Sequence, residues 1–227
     1  MKTENRVIGI EGLVGAGKTA LCKQLLNFLP GSILLSGGDI YRAVVFGIQQ
    51  SGMQLEQMQK KLLKVDMRTI LEKLQLEIKI ENRQSIIYLR GKKIEEKDLQ
   101  SLDSSLAVST VSKIADNSRL YEFGKQLINQ FKKQYTVILS SRDIVRMYPE
   151  VDYHFFITAS LQERLRRKMI QYGKNASENE VRQMIEKRDE LQKQAGYYDI
   201  TQKTIIIDVT NCKTPKESAQ QVFKYIQ

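Results

Sequence analysis

Gly12-Leu13-Val14-Gly15-Ala16-Gly17-Lys18-Thr19 lies between an apolar run, Val7-Ile8-Gly9-Ile10, and a stretch in which Leu21, Cys22, Leu25, Leu26 and Leu29 recur at intervals of three and four. No other feature restricts the fold as tightly. The pattern G-x-x-x-x-G-K-[ST] works only after a buried strand and at the start of a helix: the glycines let the backbone curl with its N–H groups inward, and the helix end adds positive field. Both flanks are present, and Pro30-Gly31 stops the helix. Gly12, Leu13, Val14, Gly15, Ala16 and Gly17 would cradle a polyphosphate on backbone dipoles. Lys18 would reach the outer phosphates, and Thr19 would offer its hydroxyl to Mg²⁺. The motif points to a nucleoside triphosphate such as ATP. It does not say where the phosphate goes, because motors, switches and kinases share this cradle.

Beyond the cradle, short apolar runs alternate with helical patterns. Ser32 to Leu35, Tyr135 to Leu139, His154 to Ile157 and Thr204 to Val209 read as buried strands, with Leu161 to Tyr172 and Glu178 to Gln194 as charged helices joined by Gly173-Lys174-Asn175-Ala176-Ser177. A helix begins near Asp39, with Asp39 or Gly38 as its cap, and Leu55, Met58, Leu62, Val65 and Thr69 mark another. At Leu76, Ile78 and Ile80 the period changes to two, and Ile86-Ile87-Tyr88-Leu89 follows a polar turn, which predicts an antiparallel hairpin inserted into a βα chain. Helical patterns then run from about Asp103 to Lys133. This alternation predicts an α/β fold: a parallel sheet with helices on both faces and right-handed crossovers.

Composition narrows the function classes. The chain has 227 residues, 41% hydrophobic, with only three Pro, which excludes collagen-like and disordered classes. No apolar run approaches the roughly 18 residues of a spanning helix, and no secretory leader is evident, so the expected address is the cytosol and no membrane partner is expected. Cys22 and Cys212 match no metal spacing and read as reduced thiols, Cys22 buried in the first helix. The net charge of +10 would suit nucleic acid, an anionic membrane or an anionic small substrate. Aromatic residues are only 7%, and the bases are interspersed with acids, which argues against nucleic acid. His154, the only histidine, sits inside an apolar strand and reads as structural. Asp66, Asp103 and Asp116 read as surface carboxylates or caps, and Tyr197-Tyr198 either pack a helix base or stack on a nucleobase.

Arginines follow the core strands. Residues just beyond strand carboxyl ends in a parallel sheet gather around one crevice, so Arg42 and Arg142 would converge opposite the cradle. A guanidinium binds phosphate oxygens through two parallel hydrogen bonds, which a lysine cannot reproduce.

This layout resembles the cytidylate kinase family of nucleoside monophosphate kinases, from about Arg6 to Tyr225. The resemblance rests on Gly12 to Thr19, Ser36-Gly37-Gly38-Asp39-Ile40-Tyr41-Arg42, Ser141-Arg142-Asp143-Ile144, Thr158-Ala159-Ser160 with Glu163-Arg164-Leu165-Arg166-Arg167, Glu186-Lys187-Arg188-Asp189 and Ile207-Asp208-Val209-Thr210. It implies one P-loop kinase domain over residues 1–227, of the P-loop NTPase-type three-layer fold. An acceptor-binding insert would fall at about 52–99 and a helical lid at about 164–198. It further implies ATP and Mg²⁺, small-molecule nucleotide partners, a monomer, and CMP or dCMP as the acceptor that becomes the diphosphate. On the same resemblance Arg42, Arg142 and Arg188 hold the acceptor phosphate, Asp143 binds its sugar or base end, and Ser112 approaches cytosine. Lys18 with Arg142, Arg164 and Arg167 would neutralise the migrating charge. Where the family has its base- and ribose-reading residues, this chain carries Ser36 and Gly37, Tyr121 (with Arg119 two residues away), Gln192 and Ala195. Two alternatives stay open: the same fold acting on another phosphorylated acceptor, or a non-catalytic nucleotide-binding regulator.

Overall fold

Five parallel strands carry the frame: β1 (Val7–Gly12), β2 (Ser32–Ser36), β6 (Thr136–Ser140), β7 (Tyr153–Thr158) and β8 (Thr204–Asp208). The computed structural model describes residues 4–50, 67–99, 118–173, 177–198 and 200–226. Ser112, Asp66, Asp103, Asp116, and the helical positions Leu55, Met58, Leu62 and Val65 lie outside them. Among the described residues the sheet runs β3-β4-β2-β6-β1-β7-β8, with β3 (Leu76–Glu81), β4 (Gln84–Leu89) and the short β5 (Lys92–Lys93), which pairs with β4.

Alternation along each buried strand builds a layer on either face. Val7, Ile33, Leu35, Val137 and Leu139 pack with Val44 of α2 (Gly37–Gln50) and Ile128 of α5 (Ser118–Lys132). The neighbouring Ile8, Ile10, Leu34, Ile138 and Phe155 pack on the opposite side with Leu21 and Leu25 of α1 (Lys18–Phe28) and Val222 of α9 (Pro215–Phe223). Each such side chain contributes about 1.5–3 kcal/mol when fully removed from water. The remaining helices are α3 (Met67–Leu74), α4 (Glu96–Leu99), α6 (Ile144–Met147), α7 (Leu161–Tyr172) and α8 (Glu178–Gln194). None of the described helices is long and apolar enough to cross a membrane.

The predicted hairpin forms, but it is stitched to the core rather than standing apart. Asn82 and Arg83 both take positive φ, 47° and 64°, which gives the two-residue turn whose twist suits the strands. The Arg83 guanidinium then reaches the junction of α1 and β2, donating to the carbonyls of Leu26 and Leu29 and to that of Ser32 in β2. Leu34 pairs in parallel with Gln84, so β4 extends the main sheet beside β2. The second helix also differs from expectation: it starts at Gly37, directly after β2, rather than near Asp39.

His154 is buried, with Nδ1 2.9 Å from the Thr204 hydroxyl and Nε2 3.5 Å from the Glu11 carboxylate. Cys22 is fully buried, and burial pushes its thiol up to about 12.

Candidate active site

Helix α1 begins without a side-chain cap and without an acidic residue in its first turn, whereas α7, α8 and α9 are capped by Ser160, Ser177 and Thr214. Its first N–H groups have no intrahelical acceptor, so this end is built for an outside anion. The loop before it takes positive φ at Gly12, Gly15 and Gly17. A side chain at Gly12 would also collide with the Ile157 carbonyl, its Cβ only 2.0 Å away. Lys18 arches back over the loop, donating to the carbonyls of Gly12 (2.7 Å) and Leu13 (2.8 Å).

A cleft of about 420 Å³ opens in front of this loop. Lys18 and Thr19 line one side, and Arg42, Arg142, Lys168 and Arg188 come to it from α2, the turn after β6, α7 and α8. The guanidinium of neither Arg142 nor Arg188 has a hydrogen-bond or ion-pair partner among the described residues, while that of Arg42 is held 2.8 Å from Asp39. Burial and mutual repulsion disfavour the charged forms. Lys18 is pushed down to about 7 by burial, with Arg142 and Arg188 adding to it, and Lys168 to about 8 by burial, then Arg188 and Arg42. Arg142 falls to about 10 for the same reasons, and Arg188 is lowered by burial and Arg42. Cations crowded this way are a seat for a highly charged anion.

Next to the arginines lies a second, apolar pocket of about 110 Å³, sharing Arg42 and Arg142 with the cleft and walled by Tyr41, Tyr121, Leu127, Met147 and Tyr197. The apolar pocket thus adjoins the cationic cleft at these two arginines.

The Cytidylate kinase family model matches residues 8–227 of the chain. The chain belongs to the cytidylate kinase family. It is 27% identical over 226 residues to the cytidylate kinase of Caldanaerobacter subterraneus subsp. tengcongensis, covering 97% of this chain and 94% of that one. To the cytidylate kinase of Clostridioides difficile it is 28% identical over 227 residues, covering 98% of each. The protein is a nucleoside monophosphate kinase, and its chemistry is phosphoryl transfer between nucleotides.

For this kinase several residues singled out in the sequence meet in the cleft, namely Lys18, Thr19, Arg42, Arg142 and Arg188. Three others sit differently from expectation. Arg164 is buried at 7% exposure and paired with Asp189, and it also donates to the carbonyls of Ala159 and Val14, both at 3.1 Å. Asp189 in turn accepts from the Val14 N–H at 3.1 Å, so the pair grips Val14 through both its carbonyl and its N–H. Arg164 therefore ties α7 and α8 to the loop and is not among the residues lining the cleft. Arg167 reaches the cleft edge, but its donors are engaged by Glu163, Ala16, Val209 and Cys212. Lys168, the next residue, also lines the cleft. Asp143, with φ 57° and 5% exposure, accepts from the Tyr121 hydroxyl and pairs with Arg146 at 3.4 Å, so Tyr121 rather than Asp143 forms the pocket wall. Sequence reasoning also missed Glu11, a buried carboxylate at the end of β1 that accepts from the Ile144 N–H and so anchors the turn carrying Arg142. Its only signal was a charge inside an apolar run.

Two predictions follow from these contacts. Removing Asp189 leaves the Arg164 charge buried and unpaired, so Asp189→Ala should lower unfolding stability by about 3 kcal/mol in urea denaturation. Arg166→Ala, which removes only an exposed arginine from its pair with Glu163, should leave stability nearly unchanged. Equal losses in the two variants would contradict the latch. The second prediction concerns pH. Because Lys18, Lys168 and Arg142 release protons more readily folded than unfolded, the unfolded chain binds more protons above pH 7, and stability rises with pH. The melting temperature of the ligand-free protein should climb from pH 7 to pH 9, and inorganic tripolyphosphate should flatten that climb. A falling or level profile without ligand would contradict the crowding of cations.

Proposed function

We propose that the protein transfers the γ-phosphoryl group of ATP to CMP or dCMP, giving ADP and the corresponding diphosphate. The observation that carries this reading is the meeting of Arg42, Arg142 and Arg188 in one cleft with the cradle motif, beside a ring-sized apolar pocket. The donor phosphates would lie on the N–H groups of Gly15 to Thr19 under Lys18, and the acceptor phosphate between the arginines. An ionised acceptor oxygen then attacks the γ-phosphorus, its new O–P bond forming as the bond to the β-phosphate oxygen breaks and ADP leaves. The acceptor oxygen is already ionised near neutral pH, so the chain supplies alignment and positive charge rather than a general base.

Thr19 lines the cleft close to Ser36 and Asp39, and no cluster of metal-ligating side chains exists among the described residues. That donor set fits Mg²⁺, which takes few protein oxygens and completes its shell with phosphate and water. Thr19 would hold the ion, which when bound neutralises phosphate charge. The insert at about 52–99 would complete the acceptor side, and the lid at about 164–198, closing over the cleft, would exclude the water that competes for the phosphoryl group.

Coupled ADP release with CMP, dCMP, UMP, AMP and GMP tests the reading. CMP and dCMP should stimulate turnover most. Tight ATP binding with no stimulation by any of the five would instead mark a nucleotide-binding regulator.

A further inference from the structure

Glu11 stands immediately before the cradle in the chain, yet its side chain serves a different element. Alternation along β1 sends Ile8 and Ile10 to the face covered by α1, and Val7, Gly9 and Glu11 to the face that carries α6, where a Cβ at Gly9 would lie 2.9 Å from the Ile144 side chain. The Glu11 carboxylate is buried at 3% exposure and accepts from the Ile144 N–H; it is not among the groups lining the cleft. A carboxylate kept from water has to be met by donors. On its other side lies His154, whose Nδ1 is 2.9 Å from the Thr204 hydroxyl and whose Nε2, with no other polar partner among the described residues, is 3.5 Å from Glu11.

Arg142 needs such support. Its guanidinium has no hydrogen-bond or ion-pair partner among the described residues, and Arg188 and Arg42 repel it, so no contact of the side chain itself fixes its place. That place is inherited from the backbone. The next residue, Asp143, has φ 57°, a conformation that a non-glycine residue keeps only where its surroundings hold it. Two grips hold this bend: Tyr121 and Arg146 on the Asp143 carboxylate, and Glu11 on the Ile144 N–H.

We infer that Glu11 is a positioning residue for the acceptor: it fixes the turn that presents Arg142, and the donor is indifferent to it although it adjoins the donor loop. The inference rests on the acceptor role of Arg142 given above and deepens it. Glu11 touches neither substrate, so its whole effect on transfer passes through the one guanidinium.

The test is CMP kinetics at saturating ATP, with ATP affinity measured by titration, on the wild type, Glu11→Leu, Glu11→Gln, Arg142→Ala and the Glu11→Leu/Arg142→Ala double variant. Leucine has a similar volume but accepts no hydrogen bond, so kcat/KM for CMP should fall on the order of 10-fold, chiefly through KM, the scale of one buried N–H left unmet. ATP affinity should stay within about 2-fold, as for independent sites. Glutamine keeps a carbonyl oxygen for Ile144 and loses only the charge, so Glu11→Gln should recover most of the loss, leaving KM for CMP raised by about 3-fold. In the Arg142→Ala background Glu11→Leu should have almost no further effect on CMP use, because the group it positions is gone. A merely structural role would lower CMP use by the same factor in both backgrounds, and that result would overturn the inference. So would an equal fall in ATP affinity and CMP use. Thermal melts show whether Glu11→Leu folds; if it does not, Glu11→Gln decides, an unchanged KM for CMP counting against the inference. If Arg142→Ala uses CMP as well as the wild type does, or the wild type turns over no CMP, the acceptor reading itself fails and the inference with it.

Discussion

Replacing Lys18 with alanine is expected to reduce phosphoryl transfer by at least about 10³-fold while the protein stays folded. Lys18 lines the cleft from within the loop itself, its ammonium held on the carbonyls of Gly12 and Leu13, at the place where the motif puts the outer phosphates. The ligand-free fold gains little from it: burial and two neighbouring guanidiniums disfavour its charge, so removing it relieves repulsion that offsets the loss of its two hydrogen bonds to the Gly12 and Leu13 carbonyls. The melting temperature near pH 7 should therefore hold or rise as activity disappears. Single-turnover chemistry read beside a melt makes the comparison, and a Lys18→Ala protein that still turns over would contradict the donor placement.

Arg142→Ala should act on the other substrate. Arg142 lies in the turn after β6, its guanidinium unpaired among the described residues and within the field of Arg42 and Arg188. Losing a charge-assisted, two-point grip on phosphate should lower kcat/KM for the acceptor on the order of 10²-fold to 10³-fold. ATP affinity, measured separately by titration, should change little. Arg142→Lys should recover only part of the loss, because an ammonium keeps the charge but not the paired geometry. An equal fall in ATP affinity and acceptor use would mean that Arg142 belongs to the donor side.

The cradle was legible because its residues are contiguous and its meaning is carried by backbone curvature. Arg42 and Arg142 were legible for a different reason: in a parallel sheet, strand ends converge, so position after a strand implies position in space. What could not be read were partners. Arg164 looks like any other basic residue on a charged helix until Asp189, on the next helix, comes within bonding distance. Likewise Tyr121 and Asp143 stand 22 positions apart, and only the fold turns the tyrosine hydroxyl onto the carboxylate and the carboxylate out of the pocket. The hairpin was visible in its period of two, but its attachment was not, since that depends on Arg83 meeting carbonyls where α1 passes into β2.

A crystal structure with adenosine and cytidine joined through five phosphates tests the central claim most directly. The account predicts the adenosine-side phosphates on the backbone of Gly12 to Thr19, the cytidine-side phosphate between Arg42, Arg142 and Arg188, and the cytosine ring in the pocket walled by Tyr41 and Tyr121. A cytidine-side phosphate bound away from those arginines would contradict it.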